Sequence, residues 1–479
     1  MTIRLPRFLR RIAGGFHSDA LTTEGSAARV PRSLDVRITA KLFAQVREHV
    51  ETFDRGEDAG FLICSLNRLV ERDVLLAREW HPVPDWAIER NANGSVLSWA
   101  AQFNSDILQR AVDLDAAPVL VHSHGTPKPR FSSDDRTKER ALFAAFSRIL
   151  APLPTGTLLL GQGDATGSFW LSGSNAELTF RQLVIIGDTI DRWPSVDASH
   201  DSTTRERLDR QSVAIGPASD AKLRHSVVAV VGVSGGGSHV FQQLTHQGVG
   251  RLIPVDDQVL DRTNLGRHVG ATAGDVDRTL KTAIAERLAA DIDPEIVVNP
   301  VNERFPSPAT IRALKGADIV VACLDRFDAR EALNLFCRRY LIPMVDIGIT
   351  ISTSGERLAM ATGQVIASIP DHPCLRCFFL TDPLLEYERE HRPPGYDQNP
   401  EAPGDPQVVS MNGVLASEAC NIVLDLITGY SNGARGARQW QYDGRTGHLE
   451  PTELPSHRPG CPGCAEQGLG DPADALTSN

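Results

Sequence analysis

Residues 226–256 leave few ways for this chain to fold. Residues 226–231 (SVVAVV) form a continuous apolar run of buried-strand length, and they enter the turn GVSGGGS at 232–238 without a polar break. Such a run is covered on both faces, as in a parallel sheet. A helical stretch follows, and then residues 251–255 (RLIPV), which end on Asp256. Strand, glycine turn, helix and strand make a βαβ unit of Rossmann-like α/β type. Gly232, Gly235 and Gly237 let the backbone approach a phosphate, and the helix N-terminus offers free N–H groups. Asp256 is placed to take a ribose hydroxyl. The spacing departs from the plain G-x-G-x-x-G pattern, so the turn alone does not define a nucleotide site.

The residues downstream narrow the chemistry. Asn264, Arg267 and Lys281 supply a polar anchor and two cations shortly after the acid. Hydride transfer needs no such pair, whereas a triphosphate does, because the cations oppose the charge on separating phosphates. Residues 317–323 (ADIVVAC) read as another buried strand, and Asp325 beyond it is suited to hold magnesium.

Residues 205–464 resemble the ThiF/MoeB/ubiquitin-activating adenylyltransferases. The matching pieces are RLDRQ at 207–211, the glycine turn, VDDQVLDRTNLGRH at 255–268, Lys281, and LDRFDAREALN at 324–334. The resemblance implies ATP and Mg2+, and attack by a protein's C-terminal glycine carboxylate on the α-phosphate. It assigns Arg210 to the partner subunit's site, and so implies a homodimer through the adenylation domain. Gln258, His268 and Arg326 stand where the family more often has Asp, Gln and Asn.

The first half carries a different pattern. Residues 36–55 have apolar positions at helical spacing, residues 60–64 (GFLIC) read as a strand, and 99–112 read as a helix. Residues 117–121 (APVLV) form a strand that ends in His122 and His124. These alternate along an extended chain, so both imidazoles point to one side. Ten residues separate His124 from Asp135, where SSDD at 132–135 opens a helix through about residue 150. Two imidazoles and one carboxylate leave zinc a fourth position, as catalytic sites do. Zinc lowers the pKa of a bound water to about 7, and Glu57 is the candidate general acid/base. Ser132 and Asp135 also have the spacing of a helix capping box. The combination of Glu, His-x-His, ten residues, Asp and a serine three before it resembles the JAMM/MPN metalloproteases over residues 36–172. That implies zinc-dependent cleavage after a ubiquitin-like C-terminus, with Ser132 stabilising the oxyanion. Gly125 stands where proline is commoner.

Eight cysteines in 479 residues are too few for a disulfide scaffold. Cys374 with Cys377, and Cys461 with Cys464, form two C-x-x-C pairs that can close a tetrahedral, structural zinc shell. A redox dithiol is the rival reading. The 83 residues between the pairs make this a staple for the chain's end rather than a zinc ribbon. Residues 378–412 read as a long crossover loop. In ubiquitin-activating relatives this loop carries the thioester cysteine, but residues 378–412 contain none. Thr381 and Ser410 are its aliphatic hydroxyls, and Ser410 is the favoured acyl acceptor; otherwise the adenylate passes to a partner. Arg330 and Asn334 share a helix face, set either for packing or for nucleotide contact.

The net charge of −11 argues against nucleic acid as a main partner, and no apolar run reaches the length of about 18 that a membrane span needs. The expected order is a flexible basic arm (1–34), a JAMM-type α/β metalloprotease domain (35–175), a linker (176–204), a Rossmann-like ThiF adenylation domain with a structural zinc (205–466), and a disordered tail (467–479). The expected function is activation of a ubiquitin-like protein ending in glycine, with trimming or removal of the same modifier, in a bacterial cytoplasm and with a separate conjugating enzyme. Activation of a sulfur-carrier protein is one alternative, and a non-catalytic modifier-binding scaffold is another.

Overall fold

The computed structural model describes residues 33–50, 58–90, 96–124, 126, 128–172, 176–195, 205–378, 382–391, 406–433 and 439–472. The chain divides into two compact units, residues 1–187 with 191–200 and 467–479, and residues 188–190 with 201–466.

The first unit is built on one curled sheet. Its strands are β1 (Ser33–Thr39), β2 (Ala59–Arg68), β3 (Asp73–Pro82), β6 (Ala117–Ser123), β7 (Pro154–Leu160), β8 (Ala165–Leu171), β9 (Glu177–Ile186) and β10 (Ile190–Pro194), with β4 (Ile88–Arg90) and β5 (Val96–Trp99) forming a separate hairpin. The order is β1-β3-β2-β6-β7-β8-β9-β10, and β9 also pairs with β1, which closes the sheet on itself. Its helices are α1 (Ala40–Val50), α2 (Ala101–Leu114) and α3 (Ser133–Leu150). One core of Leu34, Val36, Ile38, Leu62, Phe169 and Leu183 takes the residues of one sheet face and α1. A second, with Phe61, Phe103, Ile107, Phe143 and Phe146, lies between the other face and α2 and α3.

Three expectations are corrected in this unit. Residues 36–39 are strand, and the helix begins at Ala40. Alternating apolar side chains of β1 enter the core between β3 and β9, a non-local pairing that helical spacing cannot reveal. Residues 177–194 are strands of the sheet, so the expected linker shrinks to the segment after 195, and residues 196–204 lie outside the described set. The segment 467–472 is ordered: the Asp471 amide donates to Leu66 O at 2.7 Å, and its carboxylate accepts from the Arg68 amide at 2.8 Å. β6 pairs with β2 only from Ala59 to Cys64, so the far end of β2 has backbone groups left for this segment.

The second unit is an eight-stranded sheet in the order β13-β12-β11-β14-β15-β16-β17-β18. Strands β11 (Val227–Val231), β12 (Arg251–Val255), β13 (Val297–Val298), β14 (Ile319–Ala322) and β15 (Met344–Ser354) run parallel. Strands β16 (Arg357–Ser368), β17 (Gln439–Asp443) and β18 (His448–Thr452) continue it antiparallel. Its helices include α4 (Asp209–Ile215), α5 (Gly235–Gln247), α6 (Lys281–Ile292), α7 (Phe327–Arg339), α8 (Asp382–His391) and α9 (Val409–Thr428). β11 and β14 are buried almost throughout, as their unbroken apolar sequences require. The crossover segment is not all loop: α8 lies within it and α9 starts at Val409, while 379–381 and 392–405 fall outside the described residues.

Candidate functional sites

The glycine turn sits where β11 gives way to α5. Gly232 has φ +88°, and a Cβ there would stand 2.5 Å from Cys323 O. A Cβ at Gly237 would meet Gly232 O at 1.8 Å, so neither position admits a side chain. Asp256 closes the turn from below: its carboxylate accepts from the Val233 amide at 2.9 Å and from the Gln258 amide at 3.0 Å. Burial raises the Asp256 pKa and lowers that of Lys281, while their mutual attraction opposes both shifts. Lys281, the first residue of α6 and 2 % exposed, donates to Gln258 Oε1 at 2.6 Å. The glutamine in place of an acid therefore gives this lysine a neutral partner.

Gly235 is flanked by Arg267 and by Asn412. A Cβ there would stand 3.4 Å from Arg267 Cδ and 2.9 Å from Asn412 Nδ2. Asn412 is buried on α9 and donates to Gln407 Oε1 at 3.1 Å. The end of the crossover segment thus reaches the glycine turn, which only the folded chain reveals. Asn264 Oδ1 and His268 Nε2 are buried without hydrogen-bond partners among the described residues. Free N–H groups at a helix start, two cations and two orphaned polar atoms fit a nucleotide. Asp325 is exposed just beyond β14.

Ser410 is exposed in the first turn of α9. At about 100° per residue it faces roughly 200° from Asn412, so the structure does not bring it to the glycine turn. Thr381 lies outside the described residues. Arg210 is exposed on α4. Arg330 and Asn334 are packing residues: Arg330 forms a buried salt bridge with Asp346, and Asn334 Oδ1 accepts from Ser368 Oγ at 2.9 Å and the Leu375 amide at 3.2 Å. Burial pushes the Cys337 and Cys420 thiols up, which keeps them protonated and unreactive.

The four cysteines of the C-x-x-C pairs converge. Cys374 Sγ lies 3.5 Å from Cys461 Sγ, and Cys377 Sγ lies 3.7 Å from Cys464 Sγ. A tetrahedral shell at about 2.3 Å from zinc needs sulfurs about 3.8 Å apart, so the cluster fits. Hydrogen bonds from Cys461 and Cys464 hold the Cys374 pKa far below that of an ordinary thiol. The buried Arg338 guanidinium adds a further favourable charge.

In the first unit, ligand atoms of His122, His124 and Asp135 all lie within 4.8 Å of one another. β6 carries His122 and delivers His124 just past its end, while Asp135 sits in the first turn of α3. His124 Nε2 is 3.4 Å from Asp135 Oδ2. His122 Nε2 is buried without a hydrogen-bond partner among the described residues, and burial, then the charge of His124, push its pKa down to about 4. A neutral, oriented imidazole is the metal-binding form, so the triad fits zinc. The capping box forms as well: the Asp135 amide donates to Ser132 Oγ at 3.1 Å, and the Ser132 amide donates to Asp135 Oδ2 at 2.7 Å. The Asp135 carboxylate therefore both caps the helix and stands beside the two imidazoles. Glu57 and Gly125 lie outside the described residues. Sequence reasoning missed Glu139, one turn beyond Asp135 and 3 % exposed.

These features describe an α/β unit with a tight glycine turn and a four-thiol cluster, joined in one chain to a unit that brings two imidazoles and a carboxylate together. The chain belongs to the ThiF family, whose model matches residues 208–463, and residues 39–176 match the model for prokaryotic homologs of the JAB domain. It is 31% identical over 281 residues to the SAMP-activating enzyme E1 of Haloferax volcanii, covering 57% of this chain and 93% of that protein. It is 28% identical over 245 residues to the sulfur carrier protein ThiS adenylyltransferase of Escherichia coli, covering 51% and 87%. A crystal structure of E. coli MccB with ATP aligns with a TM-score of 0.45 and 19% identity, over 55% of this chain and 75% of that one. Among the described residues, no helix is long and apolar enough to cross a membrane.

Proposed function

We propose that the second unit uses ATP to adenylate the C-terminal glycine of a small ubiquitin-like or sulfur-carrier protein, and that the first unit hydrolyses bonds following that same glycine. The observation that carries this reading is the pairing, within one chain, of the Arg267–Lys281–glycine-turn site with the His122–His124–Asp135 triad. Both chemistries act on one flexible tail.

In the adenylation step a carboxylate oxygen of the modifier bonds to the α-phosphorus of ATP, the bond to the bridging oxygen breaks, and pyrophosphate leaves. Arg267 and Lys281 oppose the charge on the departing phosphates, Asp256 takes the ribose, Asn264 supplies a polar contact, and Asp325 would hold Mg2+. Arg210 reaches the site of a partner subunit in a homodimer. Lys281 leaves Gln258 as phosphate enters.

In the hydrolytic unit His122, His124 and Asp135 would hold zinc, which supplies Lewis acidity when bound. The Ser132 hydroxyl faces the developing oxyanion, and Glu57 carries protons between water and the leaving amine. Buried Cys337 and Cys420 do not serve as acyl acceptors. The adenylate therefore passes directly to a separate conjugating enzyme or a sulfur donor, or, once the start of α9 turns Ser410 toward the glycine turn, to that hydroxyl as an oxyester. The names of the relatives support both the modifier and the sulfur-carrier route.

ATP–pyrophosphate exchange with a panel of glycine-ended ubiquitin-like and sulfur-carrier proteins tests the activation reading. Exchange lost in Lys281→Ala supports it, and no exchange with any member sinks it. Isopeptide-linked products mark the conjugation route, a thiocarboxylate marks the sulfur route, and an enzyme adduct lost in Ser410→Ala marks the oxyester.

A further inference from the structure

The polar residues behind the metal triad are not absorbed by the proposed chemistry. On α3, Asp135, Glu139 and Phe143 succeed one another at four-residue spacing and so share a face. Asp135 belongs to the triad, and Phe143 is in the core. Glu139 lies between them, 3 % exposed, and among the described residues neither carboxylate oxygen completes a hydrogen bond, although the Thr157 side chain stands beside it. Thr155 and Thr157 are fully buried on β7 and point to the same side of the sheet. Ser168 on β8 is the direct cross-strand partner of Thr157 and is 2 % exposed. All three hydroxyl oxygens are also without partners among the described residues. The two oxygens of Glu139 and the hydroxyls of Thr157 and Ser168 therefore adjoin one another, with Thr155 two residues along β7, where Phe143, Phe146 and Trp170 otherwise make an apolar core.

A buried carboxyl with no partner costs several times more than a buried methyl group gains, and in native proteins such groups are satisfied. Glu139 is not a fourth donor of the triad, because it is not in the set of ligand atoms that approach within 4.8 Å of one another. A water molecule with two to four polar partners meets the requirement, and this cluster offers that number. We propose that Glu139, Thr157 and Ser168 form an internal water site, and that Glu139 acts through this water as a positioning residue for the metal ligand Asp135. On its outer side Asp135 is fixed by the Ser132 amide; the water fixes it from the core side. A metal-binding carboxylate that is hydrogen-bonded in this way is held in its binding orientation. Burial, and then the charge of Asp135, push the Glu139 pKa up to about 7, as expected of a carboxyl that serves as a hydrogen-bonding group and not as a fixed charge.

This inference rests on the zinc reading of the triad. Its test is competition between the full-length protein and a chromophoric chelator for zinc, with His124→Ala marking which of two bound ions belongs to the triad. Glu139→Leu fills the site with an apolar group of similar size and should weaken the triad's zinc affinity by about 10–100-fold, leaving the four-cysteine ion in place. Glu139→Gln keeps the hydrogen-bonding groups and should restore affinity to within about threefold of the original. Thr157→Val should give a smaller loss, and it serves in place of Glu139→Leu if that variant does not fold. Unchanged zinc affinity in the folded Leu and Val variants overturns the inference. A wild-type protein that binds only the four-cysteine ion overturns the zinc reading itself, a distinguishable result.

Discussion

The three-donor cluster of the first unit and the four-donor cluster of the second are built from opposite materials. His122, His124 and Asp135 come from one strand end and the helix that follows, within fourteen positions, and the rim is partly open to solvent. Cys374, Cys377, Cys461 and Cys464 come from two knuckles 83 residues apart, and three of the four are buried. The first offers zinc three ligands and an open position; the second offers four and no opening. Donor number and burial separate chemistry from stapling. On the proposed reading, loss of the open cluster leaves its unit folded, whereas loss of the closed one frees the end of the second unit from α7.

The largest effect should come from the closed cluster. Cys374→Ser or Cys461→Ser should release one zinc and remove much of a binding energy of about 10 kcal/mol or more, so that the second unit melts at far lower temperature. His124→Ala should release the other zinc and abolish cleavage with little change in melting temperature. Equal thermal losses in the two variants would erase the distinction.

Next is the salt bridge between Arg330 and Asp346, both almost fully buried. Arg330→Ala leaves a buried carboxylate unpaired and should cost about 3–5 kcal/mol in denaturant unfolding. The double replacement Arg330→Met with Asp346→Leu should recover most of that loss. Lys281→Ala and Arg267→Ala should each slow pyrophosphate exchange by about 10²–10³-fold, with the first unit's cleavage untouched. A smaller effect concerns pH. The Glu139 pKa is raised from 4.5 to about 7 in the fold, so its contribution to stability is complete below pH 4.5 and is lost as pH rises through about 7. Metal-free Glu139→Gln should lack that decline when unfolding is followed across this window. Smallest, Ser132→Ala removes the α3 cap and should cost about 1 kcal/mol.

The parts of the fold that the sequence revealed were those encoded locally. The glycine turn, the His-x-His pair and the C-x-x-C pairs need only short spacing to be seen, and α3 opens where its capping box lies. The parts it concealed depend on distant partners. β1 was hidden because its mates, β3 and β9, lie about forty and one hundred and forty residues away. The strands in 177–194 resembled a linker because the sheet they complete begins at residue 33. Asp471 gave no sign of the β2 backbone it binds. Arg330 and Asn334 shared a helix face, but only Asp346, Ser368 and Leu375 decide that the face is for packing. Glu139 looked like one more helical glutamate until β7 and β8 enclosed it.

The central claim is that both units act on one C-terminal tail. The direct measurement is ATP–pyrophosphate exchange with a glycine-ended modifier, supplied both mature and with extra residues after the glycine. The account predicts that the wild-type protein supports exchange with both forms, and that His122→Ala/His124→Ala supports exchange with the mature form alone. Exchange with the extended form in that variant, or failure of the wild-type protein to use the extended form while it adenylates the mature one, would contradict the claim.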